Sequence, residues 1–193
     1  MKLVFATHNH NKLKEVRAML PSGFELLSLD DIDCQEEIPE TAATIEGNAI
    51  LKATYIKNKY GYDCFADDTG LEVSALRGAP GVHSARYAGP ENDAAMNMQK
   101  LLSQLAGSKN RESQFKTTIA LIIGDTLTLF TGICEGNILQ APTGENGFGY
   151  DPVFQPKGYS DSFAEMTLDQ KSKIGHRGKA MRQLIDHLST RNT

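Results

Sequence analysis

The sequence predicts an α/β protein built on a mixed sheet, and three observations predict it. A short apolar run opens into a loop and a helix, a long hairpin occupies the middle, and amphipathic helices lie towards both ends. Leu3 to Ala6 is the opening run, and Asn11 to Leu20 then carries Leu13, Val16 and Leu20 at helical spacing among Lys12, Lys14, Glu15 and Arg17. The expected order is strand, tight loop, helix. A second helix is expected from about Ile45 to Lys59, with Ile45, Ala49, Ala53 and Ile56 on one stripe and Thr44 as its cap.

Asp63 to Ala66 reads as a short strand leading into Asp67-Asp68-Thr69-Gly70, and Asn92 to Leu105 repeats the helical pattern through Met96, Leu101, Leu102 and Leu105. The hairpin comes next. Phe115 to Ile123 and Thr126 to Cys134 are rich in Thr, Ile, Leu and Phe and are split by Gly124-Asp125, a two-residue turn signal. A Gly-rich stretch, Gly144 to Gly149, precedes a short apolar segment around Val153. Thr167 with Gln170 fits a capping box, and a final helix carries Ala180, Met181, Leu184, Ile185 and Leu188. No internal repeat, low-complexity linker or domain boundary stands out, so residues 1–193 are expected to form one domain.

The chain has 193 residues, 40% of them hydrophobic, which suffices for a substantial core. Its formal net charge of −4 advertises neither nucleic acid nor an acidic membrane as partner. A polyphosphate ligand must therefore meet local charge or a metal. Cys34, Cys64 and Cys134 are odd in number, far apart and without a CxxC pair, which argues against a disulfide framework or a zinc site and for buried free thiols. The apolar run at the N-terminus is too short for a signal peptide or a membrane span, so a reducing cytoplasm is the expected setting.

Familiar nucleotide signatures are absent. Gly175-His176-Arg177-Gly178-Lys179-Ala180 lacks the spacing of a phosphate loop, Gly147-Phe148-Gly149 runs on into Tyr150, Asp151 and Pro152 without a third glycine, and there is no HExxH or serine elbow. Thr7-His8-Asn9-His10-Asn11-Lys12 remains, a polar loop at a strand-to-helix junction where backbone N–H groups, amides, a hydroxyl and an ammonium can cradle phosphates. A polar loop of this kind is structural more often than functional. Asp67 and Asp68 are adjacent carboxylates expected at the end of a strand, and their repulsion costs energy unless a cation or proton accompanies them.

Seven motifs together are more informative. Ala6-Thr7-x-Asn9-x-x-Lys12-x-x-Glu15, Glu40-Thr41, Asn48-Ala49-x-x-Lys52-Ala53, Ala66-Asp67-Asp68-Thr69-Gly70-Leu71, Gly78 to Tyr87, Gly147-Phe148-Gly149-Tyr150-Asp151-Pro152 and Lys171-Ser172-x-x-x-His176-Arg177-Gly178 follow one another in order. In this the chain resembles the inosine/xanthosine triphosphate pyrophosphatase family, from residue 6 to residue 178. Two departures are visible. Asn11 stands where the family commonly has Gly, a tolerable change if the position needs a positive φ, and Gly47 stands where Glu is frequent.

The resemblance implies two lobes around a long central mixed sheet flanked by helices, a substrate groove between the lobes, and a homodimer. It implies cleavage of ITP, dITP and XTP to monophosphate and pyrophosphate. A triphosphate carries roughly four negative charges, so an acidic protein needs Mg²⁺ to bridge carboxylates and phosphate oxygens, with Glu40 and Asp68 as the metal-side candidates. Asp68 is the expected general base and Asp67 its support. The phosphate tail is assigned to Lys12 with Thr7 and Asn9, while His8, His10 and Asn11 of the same loop and Thr69 are counted among the substrate contacts, the two imidazoles matching no ligand position of the family and being expected to be exposed. Lys52 is a second-rank candidate whose bland reading is a solvated helix lysine. Phe148 and Tyr150, with Gly149 and Asp151 beside them, are expected to face the base. Lys171, His176 and Arg177 are donors able to read the 6-oxo edge that adenine lacks. His83 and His187 receive no role. Rival readings are a pyrophosphatase for thymidine or modified pyrimidine triphosphates and a non-catalytic purine sensor.

Overall fold

Parallel pairing of the first strands positions everything that follows. The structure is a computed structural model describing residues 2–21 and 23–191. In chain order the elements are β1 (Lys2–Phe5), α1 (His10–Met19), β2 (Glu25–Leu27), α2 (Ile45–Tyr60), β3 (Cys64–Val73), β4 (Pro80–Gly81), α3 (Ala94–Gln104), β5 (Glu112–Ile123), β6 (Thr126–Ile138), β7 (Phe154–Pro156), α4 (Leu168–Ile174) and α5 (His176–Arg191). The sheet order is β2-β1-β3-β5-β6-β7, with β4 paired to β3. β1 runs parallel to β2 and β3, whereas β4 and β7 pair antiparallel, so the expected α/β protein with a mixed sheet is what forms.

The chain separates into two compact units. The first comprises residues 1–68, 117–132 and 177–193, and the second comprises 69–116 and 133–176. In the first, β1 is buried on both faces, which is why its sequence is a continuous apolar run rather than an alternation. Val4 and Ala6 pack with Ala49, Ala53 and Ile56 of α2. Leu3 and Phe5 pack on the opposite face with Ala180, Met181, Leu184 and Leu188 of α5, and the rings of Phe5 and Phe65 stack at 4.7 Å. The second unit has its own core of Leu71, Val73, Leu101, Leu105, Phe115, Phe154 and Phe163.

Local chemistry sets the element ends. Asn9 caps α1 by accepting from the backbone N–H groups of Asn11 and Lys12, Thr44 caps α2 through Gly47, and Gly61 closes α2 with φ 77°. Thr167 and Gln170 form the expected capping box of α4.

Several expectations need correction. β3 does not end at Ala66 but continues through both aspartates to Val73, because buried cations neutralise them and the ladder need not stop. β6 likewise runs past Cys134 to Ile138, and β2 and β4, of three and two residues, were too short to show a period. Asn11 lies in the first turn of α1, so no positive φ is involved in accommodating it. The three cysteines are free and buried as expected, and burial pushes the Cys64 thiol up to about 12.

Candidate active site

The register between β1 and β3 pairs Phe5 with Phe65, and the Ala6 N–H donates to the Phe65 carbonyl at 2.8 Å. The loop after β1 therefore emerges level with Asp67 and Asp68. Successive strand residues point to opposite faces, so the adjacent carboxylates meet different partners. Both are buried.

Asp67 accepts from Lys12 Nζ at 3.0 Å and from Arg177 Nε at 2.9 Å. Arg177 also donates through Nη1 to Glu15, giving a chain of Glu15, Arg177, Asp67 and Lys12. Burial alone would raise the Asp67 carboxyl, but Lys12, Arg177 and Lys52 more than offset it and hold the group well below the usual carboxylate range. Burial would lower Arg177, yet Asp67 and Glu15 push it above its ordinary value. Lys12 is lowered, by burial first and by repulsion from Lys52 and Arg177, despite Asp67. An arriving anion would relieve that repulsion.

Asp68 faces α2. Its Oδ2 accepts from Asn48 Nδ2 at 3.2 Å, and its Oδ1 lies 3.9 Å from Lys52 Nζ, which also bonds Glu40 Oε1. Lys52 is buried, so the solvated reading is overturned; it sits three residues after Ala49 and four before Ile56, on the apolar stripe itself. Burial would lower its pKa, but Asp68, Glu40 and Asp67 raise it on balance. Asn48 accepts from the Ala42 N–H at 2.9 Å through Oδ1, fixing the stretch that carries Glu40. A Cβ at Gly47 would lie 2.6 Å from that of Ala42, which accounts for glycine there.

These residues suit a hard dication. Glu40 and Asp68 both turn oxygens towards one cationic atom, and Glu40 keeps about a third of its side chain exposed. Among the described residues no group of three or more His, Cys, Asp or Glu side chains is arranged to hold a metal. Two carboxylates match Mg²⁺, which keeps waters and takes its remaining oxygens from phosphates.

The rest of the loop is open. Thr7 is half-buried and its Oγ1 accepts from the Asn9 N–H at 3.2 Å, while His8, Asn9, His10 and Asn11 are exposed. His8 Nε2 bonds the Glu36 carbonyl oxygen.

The second unit gathers the remaining candidates. Asp151 Oδ2 accepts from Lys171 Nζ at 2.6 Å and from the Phe148 N–H at 2.8 Å, and a Cβ at Gly147 would come within 2.1 Å of the same oxygen. The Gly-rich loop is thus wrapped around a buried ion pair. Phe148 and Gly149 stay partly exposed, with Lys171 Nζ 4.9 Å from the Phe148 ring centre. Tyr150 is buried and donates to the Ser84 carbonyl at 2.8 Å. His176 is buried and stacked 4.5 Å from Phe115. Thr69 is half-buried in β3.

Sequence spacing alone gave no role to Glu15 or Asn48. The available signal was position: Glu15 sits three residues after Lys12 and Asn48 four residues before Lys52, each on the face of a lysine that also turns inward.

A family model described as the Ham1 family matches residues 3–187. A dITP/XTP pyrophosphatase of Christiangramia forsetii is 59% identical over 189 residues, covering 98% of this chain and 100% of that protein. The Ham1 protein of Staphylococcus aureus superposes with a TM-score of 0.90 at 34% identity, covering 99% of this chain and all of that one. A HAM1 protein from Coxiella burnetii gives 0.91 at 35% identity over 98% and 99% of the two chains. With its motifs, its fold and nearly its whole length matched, this chain belongs to the Ham1 family.

Proposed function

We propose that the chain hydrolyses non-standard purine nucleoside triphosphates, those of inosine, deoxyinosine and xanthosine, to the monophosphate and pyrophosphate. The observation that carries this reading is the division of labour at Asp67 and Asp68. One is locked between Lys12 and Arg177, and the other shares a cation position with Glu40. The names of the 59% identical relatives support the substrate class.

Glu40 and Asp68 would hold Mg²⁺, which supplies charge neutralisation for the phosphates and polarises the α-phosphorus. Asp68 takes the proton from water as the new oxygen–phosphorus bond forms. The bond from the α-phosphorus to the α,β-bridging oxygen breaks, and its electron pair leaves with pyrophosphate. A positioned base of this kind contributes about 10²- to 10⁴-fold. Asp67 is unsuited to the task, since Lys12 and Arg177 keep it ionised and engaged; it holds Lys12 in place for the phosphate tail, together with Thr7, Asn9 and the backbone of the same loop.

Phe148 stacks on the base, and Lys171, tethered by Asp151, offers an N–H to the 6-oxo edge. His176 packs in the core of the same unit against Phe115 and Phe163. Arg177 acts on Asp67 and Glu15 rather than on the base. Release of pyrophosphate rather than phosphate from ITP with Mg²⁺ tests the reaction, and release of single phosphates instead would reject it.

The reading includes a homodimer in the cytoplasm. Met96, 53% exposed on α3, is an apolar side chain that the fold leaves uncovered, and three buried free thiols suit a reducing compartment. Light scattering at micromolar concentration should give twice the 21.1 kDa chain mass; a monomer would reject the dimer. Among the described residues no helix is long and apolar enough to cross a membrane.

A further inference from the structure

Residues 34–44 contain no helix or strand, so no backbone ladder fixes the stretch that carries Glu40. Glu36 anchors it. Its Oε1 accepts from Lys59 Nζ at 2.5 Å, Tyr60 Oη at 2.7 Å and Tyr55 Oη at 2.9 Å, all on α2. Lys59 and the two phenols hold the Glu36 carboxyl down at about 2, so this anchor stays ionised across the neutral range. The backbone of Glu36 makes a second attachment: its carbonyl oxygen lies 2.9 Å from His8 Nε2. A carbonyl only accepts, so Nε2 carries the proton and donates.

His8 belongs to the loop that leads into Asn9 and Lys12, and Glu40 lies four residues beyond Glu36. We propose that His8 is a positioning residue that ties the phosphate-binding loop to the Glu40 stretch through the Glu36 carbonyl, so that triphosphate and metal are bound as a coupled pair. This rests on the reading of Glu40 as a metal-side carboxylate. Coupling follows because a bond between two stretches of irregular backbone links their order, and a ligand that orders one lowers the cost of ordering the other.

The test compares wild type with His8→Ala and His8→Gln, the latter placing an amide N–H at similar reach. Hydrogen exchange at amides 37–44 is measured in the free protein, and pyrophosphate release from ITP is followed across Mg²⁺ concentration. His8→Ala should speed that exchange about three- to tenfold and raise the Mg²⁺ concentration for half-maximal rate by a similar factor. Its KM for ITP at saturating Mg²⁺ should move less, and His8→Gln should restore most of both effects. Unchanged exchange in His8→Ala, faster exchange without a Mg²⁺ shift, or no rescue by His8→Gln would each overturn the proposal. Failure of wild type to release pyrophosphate from ITP would instead reject the function, a result separable from the exchange measurement.

Discussion

Lys52 Nζ bonds Glu40 Oε1 and lies 3.9 Å from Asp68 Oδ1, so one buried ammonium holds together two carboxylates that would otherwise repel. Lys52→Ala should lower stability by roughly 1–3 kcal/mol, less than a fully buried pair because Glu40 is partly exposed. It should also lower kcat/KM for ITP at least about tenfold, since a misplaced carboxylate forfeits alignment at the phosphorus. A urea midpoint and a kcat/KM equal to wild type would show that the ammonium is dispensable.

Arg177 gives a contrasting expectation. Arg177→Ala leaves Glu15 and Asp67 buried without their shared cation, a loss of about 3–5 kcal/mol. Because its guanidinium is engaged by carboxylates, turnover of ITP and ATP should fall together and their ratio should stay within about threefold. Lys12→Ala should weaken all triphosphates alike for a different reason, the loss of a contact common to every substrate. An ITP-to-ATP ratio of kcat/KM that collapses only in Arg177→Ala would place that residue on the base.

How far the sequence spoke for the site depends on which property was periodic. α1, α2, α3 and the hairpin of β5 and β6 were legible because their apolar residues recur at spacings of 3.6 or 2. The acidic pair was legible as chemistry but not as geometry. Charged residues usually end a strand, and the cations contributed by distant positions, Lys12, Lys52 and Arg177, let β3 continue through them. Arg177 lies 110 positions from Asp67, a separation no local pattern spans. The pairing of His8 with the Glu36 carbonyl was equally invisible, since any residue presents such an acceptor.

Asp67 also fixes a pH dependence. Its folded pKa is depressed, so its contribution to stability is present above the unfolded value near 3.8 and is lost as pH falls from there through the folded value. Wild type should therefore lose thermal stability as pH drops below about 4, and Asp67→Asn, less stable at pH 7, should show a flatter slope in that interval. Tm measured from pH 7 to pH 2.5 in both proteins checks this; parallel slopes would mean that Asp67 is not the group responsible.

Asp68→Asn tests the central assignment most directly, because the amide keeps the side chain's shape but cannot take the proton and loses its charge towards the metal. The measurement is kcat for pyrophosphate release from ITP with Mg²⁺, alongside the Kd of a non-hydrolysable ITP analogue. The expected result is a kcat lowered at least about a thousandfold with a Kd within about fivefold of wild type. A kcat within tenfold of wild type at unchanged Kd would contradict Asp68 as the base.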